Sequence, residues 1–269
     1  MTPVPTPWRP TPLLAASIVL HVAALFAIGV DLRHWEWAAA ALLANHALLT
    51  AIGLWPRSTL LGPNLSRLPA AAAARGEVAI TIDDGPDPAV TPQVLDLLDA
   101  HGASATFFCI GRNVDLHPEL AAEIVRRGHA VENHGQHHGW HFAFQGARKL
   151  TRELDAGQET IRRVTGTAPL FFRAPAGLRS PLLDPVLCRL GLRLASWTRR
   201  GFDTVRGDPA TVRQQLLRDL AAGDILLLHD GNAARTAAGI PVILEVLPAV
   251  LAAIRAAGLT PVTLREALR

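Results

Sequence analysis

The stretch VAITIDDGPDP, residues 78–88, ends a run of strand-forming residues with two adjacent carboxylates, Asp83 and Asp84, and then breaks at Gly85-Pro86. The alternation predicts a β-strand, and the Gly-Pro pair predicts a turn directly after it. An Asp at the start of a turn is common for purely structural reasons. Side chains at the mouth of a strand also converge on whatever lies above the sheet. This stretch alone therefore does not distinguish a structural turn from a functional site.

Residues 77–269 alternate between strand and helix patterns along their whole length. Strand patterns cover 78–83, 104–111, 129–134, 170–175, 192–198, 224–230 and 259–264, and helical patterns cover 91–101, 117–127, 147–164, 182–190, 209–222 and 240–257. Seven strands with six intervening helices predict parallel βα units, arranged as a barrel or as an open doubly wound sheet. No glycine-rich phosphate fingerprint follows the first strand, which argues against a dinucleotide-binding fold.

Polar residues stand at the ends of most of the predicted strands. Asp83 and Asp84 end the first strand, and later strands end at His134, Arg173, Trp197 and His229. In a parallel barrel those ends lie on one face, which is where such folds keep their chemistry. We therefore expect these dispersed positions to converge.

The segment ENHGQHHGWH, residues 132–141, is unusually rich in histidine. Residues four apart share one side of a helical turn, so His134 and His138 can both reach a metal ion. With Asp84 they would form three protein ligands with an open position, which describes a catalytic zinc site. Asp83 would then stand beside a water molecule and could take its proton. His137 is the alternative second histidine.

Two apolar runs precede this region. Residues 13–30 and 37–55 carry no charge, and each is just long enough to cross a bilayer as a helix. We predict a transmembrane helical hairpin over residues 1–56, followed by a linker over 57–76. A signal sequence would explain the first run but not the second, and a surface helical hairpin is the other alternative.

Three polar residues interrupt the apolar runs: His21, Asn45 and His46. Two helices cannot enclose a channel, so a polar pathway is not expected. We expect these residues to pair across the hairpin or to lie near a helix end.

The net charge of +3, from 26 basic and 23 acidic residues, lies entirely in the first 76 residues. Their arginines stand mostly at the outer ends of the apolar runs (Arg9, Arg57, Arg67 and Arg75), and Arg33 lies between the runs beside Asp31 and Glu36. The positive-inside rule then predicts a two-pass protein of the inner membrane with residues 77–269 in the cytoplasm. Those residues carry 21 basic and 21 acidic groups, so nucleic acid is not expected as a partner.

Five short motifs occur in a fixed order: TIDDGPD (81–87), HGQHH (134–138), RAPAG (173–177), WTRRGFD (197–203) and LLHD (227–230). They resemble the five motifs of the polysaccharide deacetylases, also called the NodB-homology or carbohydrate esterase 4 family. Any one of them is weak evidence, but five in order on a βα framework are specific. The resemblance covers residues 77–269 and leaves the apolar N-terminal section unexplained.

The resemblance implies a distorted seven-stranded (β/α) barrel that hydrolyses N-acetyl groups on amino sugars with a divalent metal, most often zinc. By this resemblance Asp83 is the general base, and the metal ligands are Asp84, His134 and His138. The chemistry is consistent with these roles, because amide hydrolysis requires a deprotonated water, a stabilised oxyanion and a protonated leaving amine.

The resemblance also implies roles in the same reaction for several other residues. Arg173 pairs with the base, and the backbone N–H of Ala176, which follows Pro175, helps to hold the oxyanion. His229 is the general acid, tuned by Asp203, and the apolar Leu227 lines the acetyl pocket.

The chain departs from the family pattern at several positions. Gly135 and Gly139 follow the two metal histidines, where the family usually has Ser or Thr and then Pro or Ser. The family often has Tyr where Ala176 stands, and this chain contains no Tyr. Trp140 or Phe202 could supply the missing aromatic contact to a sugar.

The predicted orientation bears on the substrate. A cytoplasmic domain could not reach peptidoglycan or exported polymers, so we expect a lipid-linked amino-sugar glycan at the inner leaflet. The alternatives are an outward-facing deacetylase of envelope polysaccharide or peptidoglycan, and a non-catalytic glycan-binding or scaffold subunit. The intact set of acids and histidines argues against the latter.

Overall fold

The computed structural model describes residues 4–269. Its first elements are two 19-residue helices that pack against each other, α1 (Pro12–Val30) and α2 (Trp35–Gly53). The Thr11 side chain caps α1 by accepting a hydrogen bond from the backbone N–H of Leu14. Among the helices of the described residues, only α1 is both long and apolar enough to cross a membrane. The two-pass arrangement therefore stays a prediction.

The polar residues of the two helices face one another. Asn45 Nδ2 donates to Ser17 Oγ at 2.8 Å, and the Nε2 atoms of His21 and His46 lie 3.4 Å apart. These contacts confirm the expected pairing between the two apolar runs.

The rest of the chain forms one curled parallel sheet covered by helices. Its strands are β1 (Glu77–Asp83), β2 (Ala105–Cys109), β3 (Ala130–Asn133), β4 (Phe171–Phe172), β5 (Arg193–Leu194), β6 (Arg199–Arg200), β7 (Ile225–His229) and β8 (Thr260–Pro261). The order across the sheet is β5-β4-β3-β2-β1-β7-β6, and β8 pairs with the start of β1. This curled parallel sheet is consistent with the predicted (β/α) barrel.

One predicted strand is divided in two. The pattern over 192–198 predicts a single strand, but β5 pairs with β4 while β6 pairs with β7, at the opposite edge of the sheet. Between them the backbone bonds to Leu65, which donates to Leu194 O and accepts from Ser196 N, both at 2.9 Å. The chain changes partner here because the sheet curls, and the sheet therefore has eight short strands rather than seven.

The helices cover the outside of the sheet. They are α3 (Ala70–Ala74), α4 (Thr91–Ala100), α5 (Gly111–Leu116), α6 (Pro118–Arg126), α7 (Ala147–Thr165), α8 (Leu183–Leu190), α9 (Pro209–Leu217) and α10 (Val242–Ala256). The short α3 falls inside the predicted linker. The patterns did not predict α5, which has only six residues and too few turns to show a periodicity.

The two faces of β1 have different environments. Val78, Ile80 and Ile82 belong to the large core under the surrounding helices. Ala79 belongs to a second core in the interior of the curled sheet, together with Phe108 and Leu227. Successive strand residues point to opposite faces, so Thr81 and Asp83 share the interior side with Ala79. Asp83 is thus at the carboxyl-end mouth of the sheet, where we expected the polar residues to meet.

Candidate active site

The end of β1 and the loop after it hold two carboxylates in buried positions. Asp83 is 3% exposed and Asp84 is 6% exposed. Asp84 has a φ of 74°, in the left-handed region that Asp tolerates better than most residues. A side chain at Gly85 would overlap the carboxylate of Asp230, so glycine is required for this loop to reach the end of β7.

Three side chains meet in an arrangement that suits a metal ion. The Nε2 atoms of His134 and His138 lie 3.2 Å and 3.3 Å from Oδ1 of Asp84, and one ligand atom from each of the three residues lies within 4.8 Å of the others. Oδ1 of Asp84 is buried and has no hydrogen-bond partner among residues 4–269. A buried, unpaired acceptor beside two imidazole nitrogens is the environment that a divalent metal satisfies.

Hydrogen bonding orients the first of these histidines. Nδ1 of His134 lies 2.8 Å from the carbonyl oxygen of Arg173, and a carbonyl can only accept, so Nδ1 carries the proton. Nε2 of the neutral ring then has its lone pair directed at the cluster, as in many metal sites. Burial, the largest effect, opposes ionisation of Asp84, but its proximity to the His134 and His138 rings holds its pKa below the ordinary value.

The second histidine that the structure brings into this cluster is His138, while His137 lies outside it. Nδ1 of His137 contacts Oε2 of Glu153 at 3.0 Å, and its side chain is 68% exposed. The segment from His134 to His138 is not a helical turn, contrary to the reasoning from spacing. It bends instead through positive φ values at Gly135 (83°) and His138 (54°), and this bend brings the two rings to 4.6 Å between centroids.

The second carboxylate of the loop is paired with a buried arginine. Arg173, which is 0% exposed, donates from Nη1 to Asp83 Oδ1 at 2.7 Å and to Thr81 Oγ1 at 2.8 Å. The other oxygen of Asp83, Oδ2, lies 3.7 Å from His134 Nε2. One oxygen of Asp83 is therefore held by the arginine, and the other faces the histidine cluster.

A second pair lies at the end of β7. Asp203 accepts from the backbone N–H of His229 at 2.7 Å and contacts His229 Nδ1 at 2.8 Å. Burial alone would lower the pKa of His229, but the hydrogen bond and the charge of Asp203 outweigh it and raise the pKa above its ordinary value. His229 therefore stays protonated to higher pH than a free histidine.

A cavity of about 220 Å³ brings these groups together. Its lining includes eight of the residues singled out from the sequence: Asp83, Asp84, His134, His138, Ala176, Trp197, Leu227 and His229. Arg173 and Asp203 lie behind the lining, where each binds one lining residue: Arg173 binds Asp83, and Asp203 binds His229. Pro175 is buried at the start of a short 3₁₀ turn, and Ala176 follows it with a φ of 54°.

Sequence reasoning missed several polar neighbours of Asp84. Asn232 Nδ2 lies 3.2 Å from Asp84 Oδ2, and Asn113 Nδ2 donates to the Asp84 carbonyl at 2.9 Å. Neither asparagine ends a strand, and no short motif identifies them. The only signal available was that Asn232 follows LLHD by two positions.

Comparison with known proteins agrees with this geometry. The polysaccharide deacetylase family model matches residues 70–195. A peptidoglycan-N-acetylglucosamine deacetylase of Bacillus cereus is 32% identical over 194 residues, covering 71% of this chain and 88% of the relative. A chitooligosaccharide deacetylase of Azorhizobium caulinodans is 32% identical over 158 residues, covering 58% of this chain and 75% of the relative.

A solved structure extends the similarity to three dimensions. A peptidoglycan N-acetylglucosamine deacetylase crystallised with an N-hydroxybenzamide compound superposes with a TM-score of 0.67 at 26% identity, covering 76% of this chain and 91% of that one. Sequence identity at this level over most of a relative's length, on the same fold, is the evidence that decides the family. The chain belongs to the polysaccharide deacetylase family and is an amide-hydrolysing carbohydrate deacetylase.

Proposed function

We propose that this protein is a metal-dependent N-deacetylase of an amino sugar on a membrane lipid-linked glycan. The observation that carries the catalytic part is the single cavity in which the Asp84, His134 and His138 cluster, the Asp83–Arg173 pair and the His229–Asp203 pair meet. Asp84, His134 and His138 would hold the metal, zinc being the first candidate. When bound, the metal supplies a Lewis acid that polarises the amide carbonyl and acidifies water.

The side chains divide the proton transfers between them. Asp83, oriented through Oδ1 by Arg173, would take the proton of the attacking water on Oδ2. His229, kept protonated by Asp203, would donate to the nitrogen of the leaving amine. The backbone N–H of Ala176 would donate to the developing oxyanion, and Leu227 would contact the methyl of the acetyl group.

The position of α2 supports a substrate at the membrane. The chain leaves α2 at Gly53, and three residues later Pro56 packs so closely on Gly177 that a Cβ there would overlap it. Gly177 lines the catalytic cavity. The end of the second apolar helix therefore borders the wall of the site, and a sugar carried on a bilayer lipid would arrive close to the cluster.

The test uses purified full-length protein in detergent micelles and measures acetate release. The substrates are an N-acetylhexosamine on a polyprenyl diphosphate, a chitooligosaccharide and peptidoglycan. We expect release to be fastest from the lipid-linked sugar, to stop on chelation and to return with zinc. Asp83→Asn, which is isosteric and leaves the three ligands in place, should lose about 10²–10⁴-fold of the rate.

Two outcomes would change the proposal in different ways. Near-parent activity of Asp83→Asn would refute the assignment of the base. Faster release from peptidoglycan would favour the envelope alternative, to which the names of the relatives in Bacillus cereus and elsewhere point.

A further inference from the structure

A second cavity, of about 590 Å³, adjoins the catalytic one. The two share Trp197 and Arg200 in their linings. The second cavity is also lined by Trp55, Pro56 and Arg57, the residues that directly follow α2. It therefore adjoins both the end of the apolar helix and the catalytic cavity.

The lining of this second cavity is strongly basic. It contains four arginines, Arg57, Arg199, Arg200 and Arg218, and one acidic residue, Asp219. This local surplus contrasts with the balanced charge of residues 77–269 as a whole. Such a concave basic lining attracts an anionic group.

Two of the arginines have no carboxylate partner in the part of the chain that the structure describes. Arg199 is paired, because its Nε donates at 2.9 Å to the buried Asp224, which Arg67 also contacts, and Arg218 lies 3.7 Å from Asp219. Within residues 4–269, Arg57 and Arg200 form no ion pair with Asp or Glu. Arg57 makes a 3.4 Å contact to the Thr198 carbonyl.

The side chain of Arg200 is held in place by aromatic rings. Its guanidinium lies 4.8 Å from the ring centre of Phe202 and 5.4 Å from that of Trp197. Its Nε is buried and has no hydrogen-bond partner among the described residues. A planar guanidinium that is positioned but not satisfied is suited to bidentate binding of a phosphate.

We propose that this arginine cavity binds the phosphate group of a lipid-linked amino-sugar substrate. In such a molecule the phosphate lies between the lipid and the sugar. The arginine cavity likewise adjoins both the end of α2 and the catalytic cavity. The inference rests on the proposed function, since it names the part of the substrate that the catalytic cavity does not hold.

The test measures equilibrium binding by calorimetry in an Asp83→Asn background, so that no turnover interferes. The probes are a neutral N-acetylhexosamine, the same sugar as a 1-phosphate and a 1-diphosphate, and N-acetylmuramic acid, which carries a carboxylate. We expect the phosphorylated sugars to bind about tenfold or more tightly than the neutral one. Arg57→Gln with Arg200→Gln should reduce that ratio to near one.

Arg126→Gln is the matched control, because Arg126 is an exposed arginine on α6 that pairs with Glu123. It should leave the binding ratio unchanged. Arg57→Gln alone removes an exposed side chain and serves if the double variant fails to fold, which its metal content and melting temperature would show. The single variant should reduce the ratio by several-fold.

Three results would overturn the inference. These are equal binding of phosphorylated and neutral sugars by the parent, an unchanged ratio in the double variant, and tighter binding of the carboxylate sugar than of either phosphate. Cosedimentation with phosphatidylglycerol vesicles separates the two sources of phosphate. Weaker vesicle binding by the double variant with an unchanged sugar ratio would assign the cavity to bilayer headgroups instead of substrate. Absence of acetate release from every substrate would count against the proposed function and not against this binding result.

Discussion

A single residue, Arg173, connects the proposed base to the proposed metal cluster. Its guanidinium donates to Asp83, and its backbone carbonyl accepts from Nδ1 of His134. The proposed base and one proposed metal ligand are therefore oriented by the same buried residue. Burial lowers the pKa of Arg173 below its ordinary value, and Asp83 opposes this effect. An arginine remains charged under these conditions, so the Asp83 carboxylate has a permanent partner.

The choice between two adjacent histidines gives the first prediction. His138→Ala should abolish stoichiometric zinc in the purified protein, because it removes a nitrogen 3.3 Å from Asp84 Oδ1. His137→Ala is the matched control and should retain the metal, since His137 pairs with Glu153. Metal analysis of both variants checks this prediction. Zinc retained by His138→Ala and lost by His137→Ala would reverse the assignment.

The second prediction concerns the pH dependence of the rate. His229 has a raised pKa and would act as the acid, so activity should fall as pH rises through that pKa, at a pH above the ordinary histidine value. Asp203→Asn keeps an acceptor for His229 but removes the charge that raises the pKa. The alkaline limb of the kcat/KM profile should then move to lower pH. An unmoved limb in this variant would show that another group controls it.

At the scale of elements, a buried carboxyl joins the loops after β1 and β7. Asp230 is 1% exposed; it accepts from Thr91 Oγ1 and, at 2.9 Å, from the N–H of Gly231. Burial, the largest effect, raises the pKa of Asp230 to about 7, although Thr91 opposes this shift. The Thr91 hydroxyl thus links the start of α4 to the residue that follows β7.

The third prediction follows from that contact. Thr91→Val should lower the free energy of unfolding by about 1–3 kcal/mol, the usual cost of leaving a buried polar group unpaired. The loss of stability should be greater at pH 8 than at pH 5. Asp230, with a pKa of about 7, is mostly charged at pH 8, and a buried charged carboxylate loses more free energy than a neutral carboxyl when its hydrogen-bond donor is removed. Melting followed by circular dichroism at both pH values measures it.

Thr236→Val is the control for this measurement. Thr236 Oγ1 also donates to a carboxylate, Glu245, but that pair is exposed to solvent. Its loss should change stability by less than about 0.5 kcal/mol at either pH. Equal effects of the two substitutions would show that the buried Thr91–Asp230 hydrogen bond contributes no more to stability than the exposed one.

At the scale of the whole molecule, the apolar helices and the curled sheet meet at the mouth of the site. The Arg179 N–H donates to the Gly53 carbonyl at the end of α2 at 3.2 Å. Trp8, which precedes α1, donates from Nε1 to Asp184 at 2.9 Å. These contacts join the apolar helices to the segment after β4, which also contributes Ala176 and Gly177 to the catalytic cavity.

The fourth prediction is topological and bears on the substrate. Four of the five arginines in residues 1–76 flank the outer ends of the apolar runs, so the C-terminus should lie in the cytoplasm. Alkaline phosphatase fused after Arg269 should be inactive, and a fluorescent reporter that folds in the cytoplasm should be bright. The same phosphatase inserted after Arg33, between α1 and α2, should be active and serves as the control. An active phosphatase after Arg269 would place the site outside and favour the envelope polymer.

The sequence by itself determined which strand ends carry the candidate catalytic residues. Asp83, His134, Arg173 and His229 could be placed together, although up to 146 positions separate them, because the carboxyl ends of parallel strands share one face of the fold. The family motifs then assigned a role to each. Strand and helix patterns depend on residues that are close in the sequence, so they can be recognised without knowing which distant residues pack against them.

Only the tertiary structure decided the features that depend on distant contacts. The bend at Gly135 directs His138 into the cavity and His137 toward Glu153. The partner change between β5 and β6 depends on Leu65, and the closeness of Pro56 to Gly177 depends on how α2 meets the sheet. Each of these contacts joins segments that no local pattern relates, because side-chain direction and packing are set by the neighbours that folding brings together.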